Sequence, residues 1–226
     1  MTRHQINSSI GLGGLFGATL LFAVCACLVL ISVRAKEKDA SPNVEVKNDA
    51  DARAAFLEAY KVFMHPRCVN CHPVGDAPLQ GNDSRPHTFF RLRRGADGQG
   101  VFAVKCGNCH QAQNQPGLHM PPGAPFPLKD GVEDQAHRGE PRWRMPPAVR
   151  PMVFEKRTPG QLCRQLLDQR ENGGLTPEQL VHHVNNDPLV LWGWNPGEGR
   201  TTPAVSHTEF VRKVREWVDK GYACPR

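Results

Sequence analysis

Two strings of one form, CVNCH at residues 68–72 and CGNCH at 106–110, constrain this chain more than anything else in its 226 residues. Each sets two cysteines three positions apart, with a histidine directly after the second. On one helical turn that spacing brings both sulfurs to the same side, matching the separation of a porphyrin's vinyl groups, and turns the next imidazole under the ring. C-x-x-C-H is the attachment signature of c-type haem, so the strings predict two covalently attached haem c groups. Cys68, Cys71, Cys106 and Cys109 are then the thioether donors, and His72 and His110 the proximal iron ligands.

Other uses of paired cysteines explain less. A structural zinc leaves both histidines without a role, and paired zinc motifs belong mostly to cytosolic or nuclear chains. A thioredoxin-like dithiol sits in a βαβ pattern, and no such pattern is visible. Composition also asks for a bound group. The 21 Gly and 20 Pro predict many loops and few long elements. With aromatics at 7% and a negative mean hydropathy, the apolar surface available to offset chain entropy is small.

Residues 10–33 carry no charge, and as a helix rising about 1.5 Å per residue they span a hydrocarbon core of roughly 30 Å. A signal peptide's apolar region is shorter, about 7–15 residues. The segment 1–35 is therefore expected to be an uncleaved anchor holding a periplasmic body to the inner membrane, with cleavage near Ala35 as the alternative. Arg3 on one side and Arg34, Lys36 and Lys38 on the other leave its orientation open. Cys25 and Cys27 within it are plain apolar thiols on the simplest reading. Charged residues 36–51 are expected to form a flexible tether, leaving 52–226 as the folded domain. Setting Arg3 and Arg34 aside leaves 26 basic against 22 acidic residues. That excess suits an acidic protein surface and not nucleic acid. RLRR at 91–94 and PRWR at 141–144 are candidates for such a docking face, with solvated loop charge as the plainer alternative.

Helices are expected at 52–63, with Phe56, Leu57, Tyr60 and Phe63 on one stripe, and from 158, 176 and 206. The first two of the latter group open Thr-Pro, a side-chain cap followed by a residue pre-set for the first helical position, and the third opens on Ser206. No useful strand alternation is present. The fold class is mainly α with extensive irregular loops, cytochrome c-like, its helices wrapped around two covalently bound haems. Four thioether cysteines and two in the apolar segment leave Cys163 and Cys224, expected to pair as a disulfide in an oxidising compartment, with two buried free thiols as the alternative.

Each iron has a second axial position. His87 is the lone His between the motifs and the first choice for one of them, unless it is a surface loop residue. Beyond the second motif stand His119, Met120, His137, Met145 and Met152, two of them in MPP runs. Met152 lies 42 residues past His110, far enough for a loop to return over the other face, although any one Met is as readily a gap filler. His182 and His183 read as packing residues or partners of the haem propionates.

The ordered set CVNCHPVGDAPLQGNDSRPH, RGADGQG, CGNCHQ, PMVF, LCRQLLDQRENGG, LVLWGWNPGEGR and WVDKGYACP resembles a family of small exported dihaem cytochromes often named isoquinoline 1-oxidoreductase subunits. The resemblance covers nearly everything after residue 55. It implies His87 and Met152 as distal ligands ahead of Met120, Met145 and His119, and it agrees with a Cys163–Cys224 bridge. It also implies an electron-transfer protein, not itself an enzyme, that accepts electrons from a molybdenum hydroxylase and passes them to a terminal acceptor of the respiratory chain. The competing expectation is a dihaem peroxidase-like enzyme with one iron open to a small molecule.

Overall fold

Asn48 starts the first helix: its side chain accepts the Asp51 amide at 3.2 Å, and Asp49 and Asp51 place negative charge at the positive end of the helix dipole. The helix α1 (Asp49–Phe63) therefore begins inside the stretch 36–51 assigned by sequence to the tether. In this computed structural model residues 48–88, 91–124, 128–129, 132–133 and 143–226 are described, all within one compact unit, Glu45–Arg226. The apolar segment at 10–33 with Cys25 and Cys27, the tether up to residue 47, and His137 lie outside them. Among the described residues no helix is long and apolar enough to cross a membrane.

The architecture is mainly helical with much irregular chain. After α1 come α2 (Pro66–Val69), α3 (Pro159–Leu167), α4 (Pro177–Asn186), α5 (Pro188–Trp192) and α6 (His207–Asp219). Two-residue antiparallel pairs join β1 (Leu79–Gln80) to β2 (Arg85–Pro86), β3 (Gly100–Val101) to β4 (Val104–Lys105), and β5 (Leu128–Lys129) to β6 (Val132–Glu133). Thr158 and Thr176 cap α3 and α4 through full capping boxes, completed by Gln161 and Gln179 at the third helical position. Ser206 caps α6 by accepting the Glu209 amide. The short α2 contains the start of the first motif, expected from its spacing to form a helical turn, and α5 is a helix not expected from sequence. Each has Pro in its first turn, and Asp187 closes α4 and caps α5 at once.

The core forms where α1 runs along α6, with α3 against α1 and α4 against α6. Phe56 meets Trp217 at 5.1 Å, and Phe63 meets Phe210 and Phe154 edge-on at 5.2 and 5.4 Å. The buried face of α1 is Ala52, Ala55, Phe56, Ala59, Val62 and Phe63. Leu57, expected on that face, is 40% exposed, because it lies one residue and about 100° round from Phe56. Cys163 on α3 and Cys224 beyond α6 form a disulfide. With its ends 61 positions apart in sequence, the bridge contributes about 4 kcal/mol on the chain-entropy estimate. The Tyr60 hydroxyl donates to the Arg157 carbonyl at 2.6 Å, holding the segment before α3 on the helix that leads into the first cysteine motif.

Candidate functional site

The two C-x-x-C-H strings adopt the same backbone turn. Cys71 N–H donates to the Cys68 carbonyl at 3.1 Å and His72 N–H to the same carbonyl at 3.2 Å. In the second string Cys109 and His110 donate to the Cys106 carbonyl at 3.2 and 3.0 Å. The first turn is α2 running on from α1, and the second is a 3-10 turn, Cys106–Asn108. In each, the second cysteine and the histidine both close back on the carbonyl of the first cysteine, so the three residues share one tight turn.

The histidines are held alike. His72 Nδ1 lies 2.7 Å from the Met152 carbonyl and His110 Nδ1 lies 2.7 Å from the Pro122 carbonyl. A carbonyl only accepts, so each Nδ1 carries the proton and each Nε2 is left with its lone pair. This is how a metal-ligating histidine is usually oriented, its second nitrogen fixed by a backbone or carboxylate acceptor. A ring stacks on each imidazole: Phe154 on His72 at 3.9 Å and Trp143 on His110 at 4.3 Å, within 4° and 5° of parallel. Burial holds both imidazoles down to about 4, with the carbonyl contacts pulling the other way, so both are neutral near pH 7. Burial pushes the Cys68 thiol up to about 12 and Cys71 to about 11, the neighbouring thiols adding to the rise. Such thiols are poor thiolates, the reverse of a redox dithiol.

Two cavities adjoin at this place. One of about 530 Å³ is lined by Cys106, Cys109 and His110, and one of about 360 Å³ by Cys68 and His72. Arg67, Cys71 and Met145 line both. The volumes fall in the range of about 300–1,000 Å³ found for cofactor pockets. Polar atoms left without partners show what such a space suits. Arg67, only 4% exposed, spends Nη2 on the Gly81 carbonyl and Asn82 and leaves Nε buried and unpaired. Asn70 Oδ1 and His87 Nδ1 are likewise buried without partners, and all three residues line the larger cavity. Of these the Arg67 Nε–H is the free donor that suits a carboxylate, and the motif imidazoles leave Nε2 for a metal, so the lining fits a flat apolar group that bears carboxylates and an iron. Among the described residues no three His, Cys, Asp or Glu side chains converge as a metal ion's ligand set.

The remaining expected ligands are spread unevenly. His87 and His119 line the larger cavity. Met145, 4% exposed, sits on the wall shared by both. Met120 is 45% exposed and lines neither, and its carbonyl accepts from Arg200 at 2.7 Å. Met152 lines the smaller cavity, but its main chain stands at the Nδ1 edge of His72. His183, read from sequence as packing or a propionate partner, lines the smaller cavity from α4. Its signal was the i, i+4 spacing to Asp187, whose carboxylate lies 3.4 Å from His183 Nδ1.

The expected docking runs are partly internal. Arg94 is 2% exposed, donating Nη2 to the Gly75 carbonyl and its own amide to the Asp76 carbonyl. Trp143, in the second run, is the ring on His110. WGWNPGEGR is packing: Trp192 and Trp194 donate their indole N–H groups to Asn114 and the Val205 carbonyl. Comparison of the chain with family models, with curated proteins and with solved structures finds no match.

Proposed function

We propose that this chain is a dihaem c-type cytochrome that transfers single electrons. The observation that carries the reading is the duplicated site: two C-x-x-C-H turns of the same hydrogen-bond pattern, each with Nδ1 on a carbonyl and Nε2 free, lining adjoining cavities. Bound haem would supply one-electron iron chemistry at a potential set by axial ligands and burial. The chain's own part is to hold and shield. Cys68 and Cys71, and Cys106 and Cys109, offer the thiols for the two covalent attachments; His72 and His110 present neutral Nε2; and the buried Arg67 guanidinium faces both cavities and suits propionates. Because Arg67, Cys71 and Met145 line both cavities, groups bound in them would be neighbours, which would suit electron passage between them.

The apolar run at 10–33 supports export and anchoring, so the body is assigned to the periplasmic side of an inner membrane. By the resemblance in sequence, the electron donor is a molybdenum hydroxylase and the acceptor a component of the respiratory chain. The test is production of the full chain in a host that attaches c-type haem. The expected result is an intact mass raised by two haems, four cysteines resistant to alkylation, and a redox titration in two one-electron steps. A mass without added haem overturns the proposal, and peroxide turnover at a resting iron turns it toward the peroxidase reading.

A further inference from the structure

The smaller cavity contains a histidine beyond the motif, and its surroundings match those of a ligand. We propose that His183, and not Met152, is the sixth ligand of the iron attached through Cys68, Cys71 and His72, an assignment that rests on the haem reading above.

The first argument is directional. The two nitrogens of an imidazole point away from each other, so a group bonded to Nδ1 lies behind the ring as seen from the metal. The Met152 carbonyl is that group for His72, at 2.7 Å. Met152 also adopts a left-handed backbone, φ 42°, which is strained for a residue with a Cβ. The Phe154 and Glu155 amides, two and three residues on, donate to the His72 carbonyl at 2.8 and 3.2 Å. The main chain at 152–155 is thus fixed to the proximal histidine itself. A thioether starting there has to pass the porphyrin edge to reach the opposite face.

His183 starts elsewhere. It is on α4, an element packed on α6 and continued directly by α5, and it lines the same cavity as His72. Asp187 stands 3.4 Å from its Nδ1 and is in turn 3.8 Å from Arg144. That carboxylate stands on the Nδ1 side of His183, as the Met152 carbonyl stands on the Nδ1 side of His72, so Nε2 is the nitrogen on the opposite edge of each ring. The neighbouring His182 is exposed, so the choice between the paired histidines is made by the helix face. The two cavities also share a pattern: each is lined by its motif histidine and by a non-motif histidine, His183 with His72 and His87 with His110. Met145 is the remaining rival, and its place on the shared wall makes it a partner of both cavities in equal measure.

The experiment uses the full chain with its haems attached, in the variants H183A, H183M, M152A and M145A. Haem is counted first by mass and by pyridine haemochrome; a wild-type chain with no covalent haem overturns the parent reading and is recognised at this step. With two haems present, H183A is expected to turn one of the two from low-spin to high-spin in EPR and to let it bind carbon monoxide. H183M is expected to restore a low-spin iron with a thioether charge-transfer band absent from wild type, and to raise the potential of that haem alone. A tenfold shift of its reduction equilibrium corresponds to 59 mV for one electron. M152A and M145A are expected to leave the spin state of this haem unchanged. A fully low-spin H183A protein, or conversion of this haem to high spin by M152A or M145A, overturns the assignment. Should H183A fail to accumulate, H183M decides: no new thioether band and no shift in potential reject His183.

Discussion

The two cysteine motifs share one backbone turn and one hydrogen-bonding scheme, yet the chain supports them by different means. Around the first, support is long-range. The carbonyl on His72 comes from residue 152, the ring stacked on it is Phe154, and that ring touches Phe63 in the α1–α6 core. Around the second, support is near in sequence. The carbonyl on His110 comes from Pro122, and the turn at Cys106–Asn108 is entered from the β3–β4 hairpin. Cys109 is exposed, and Phe102 in that hairpin is 95% exposed. Asn114, bonded to Trp192 and the Asn195 carbonyl, and Arg200, donating to the His119 and Met120 carbonyls, tie this loop to the C-terminal part of the chain. The same chemistry can thus be built into a core or laid against one, and the two cases should fail differently.

The largest expected effect comes from removing each attachment in turn. Cys68→Ser with Cys71→Ser takes the group out of a cavity whose walls include Phe63, Leu166, Leu180 and Phe210 of the core. The loss is expected to rival a domain's whole stability of about 5–15 kcal/mol, so little folded protein should accumulate. Cys106→Ser with Cys109→Ser should give a folded protein with one haem and near-native helix content by circular dichroism. Equal yields and equal helix content for both pairs would remove the distinction.

A smaller effect separates the core from the second motif. Replacing Cys163 and Cys224 together by Ala should lower the stability of the helical core by about 4 kcal/mol, read as a shift of the denaturant midpoint. The His110 haem should keep its spectrum under native conditions, because neither cysteine approaches it. A change in that spectrum would mean that the second site is set by the core after all.

What sequence made legible follows the same division. The C-x-x-C-H strings, the Thr-Pro and Ser helix starts and the Cys163–Cys224 pair are written in side chains, and they could be read. Met120, Met145 and Met152 stand beside proline and are candidate thioether ligands by residue type. In two of these segments a main-chain carbonyl also contacts an imidazole, that of Met152 on His72 and that of Pro122 on His110. Every residue carries a carbonyl, so no residue type announces such a contact. Arg94 misled for a related reason: a charged run on paper gives no sign that two backbone carbonyls wait within reach of its third arginine. HH gives two adjacent candidates, and the i, i+4 spacing to Asp187 together with the packing of α4 singles out His183.

The finest comparison is between the two stacked rings. Phe154 is 5% exposed and lies between His72 and Phe63, so its replacement removes a stacking contact and an edge contact inside the core. Aromatic pairs contribute about 0.5–1.5 kcal/mol each beyond burial, and Phe154→Leu is expected to cost the core about 1–2 kcal/mol. Trp143 is only partly buried and stacks on His110 with its edge toward Trp192 at 4.9 Å. Trp143→Leu is expected to leave the core midpoint within about 0.5 kcal/mol, as for substitutions away from a core. Both variants should keep two haems, and each should move the EPR signal of one haem only, because each ring fixes the plane of one imidazole. Chemical denaturation with paired EPR spectra measures both consequences at once. Equal losses of stability would show that the two motifs unfold as one cooperative unit, and the second would then have to count as part of the core despite its local carbonyl and its exposed cysteine.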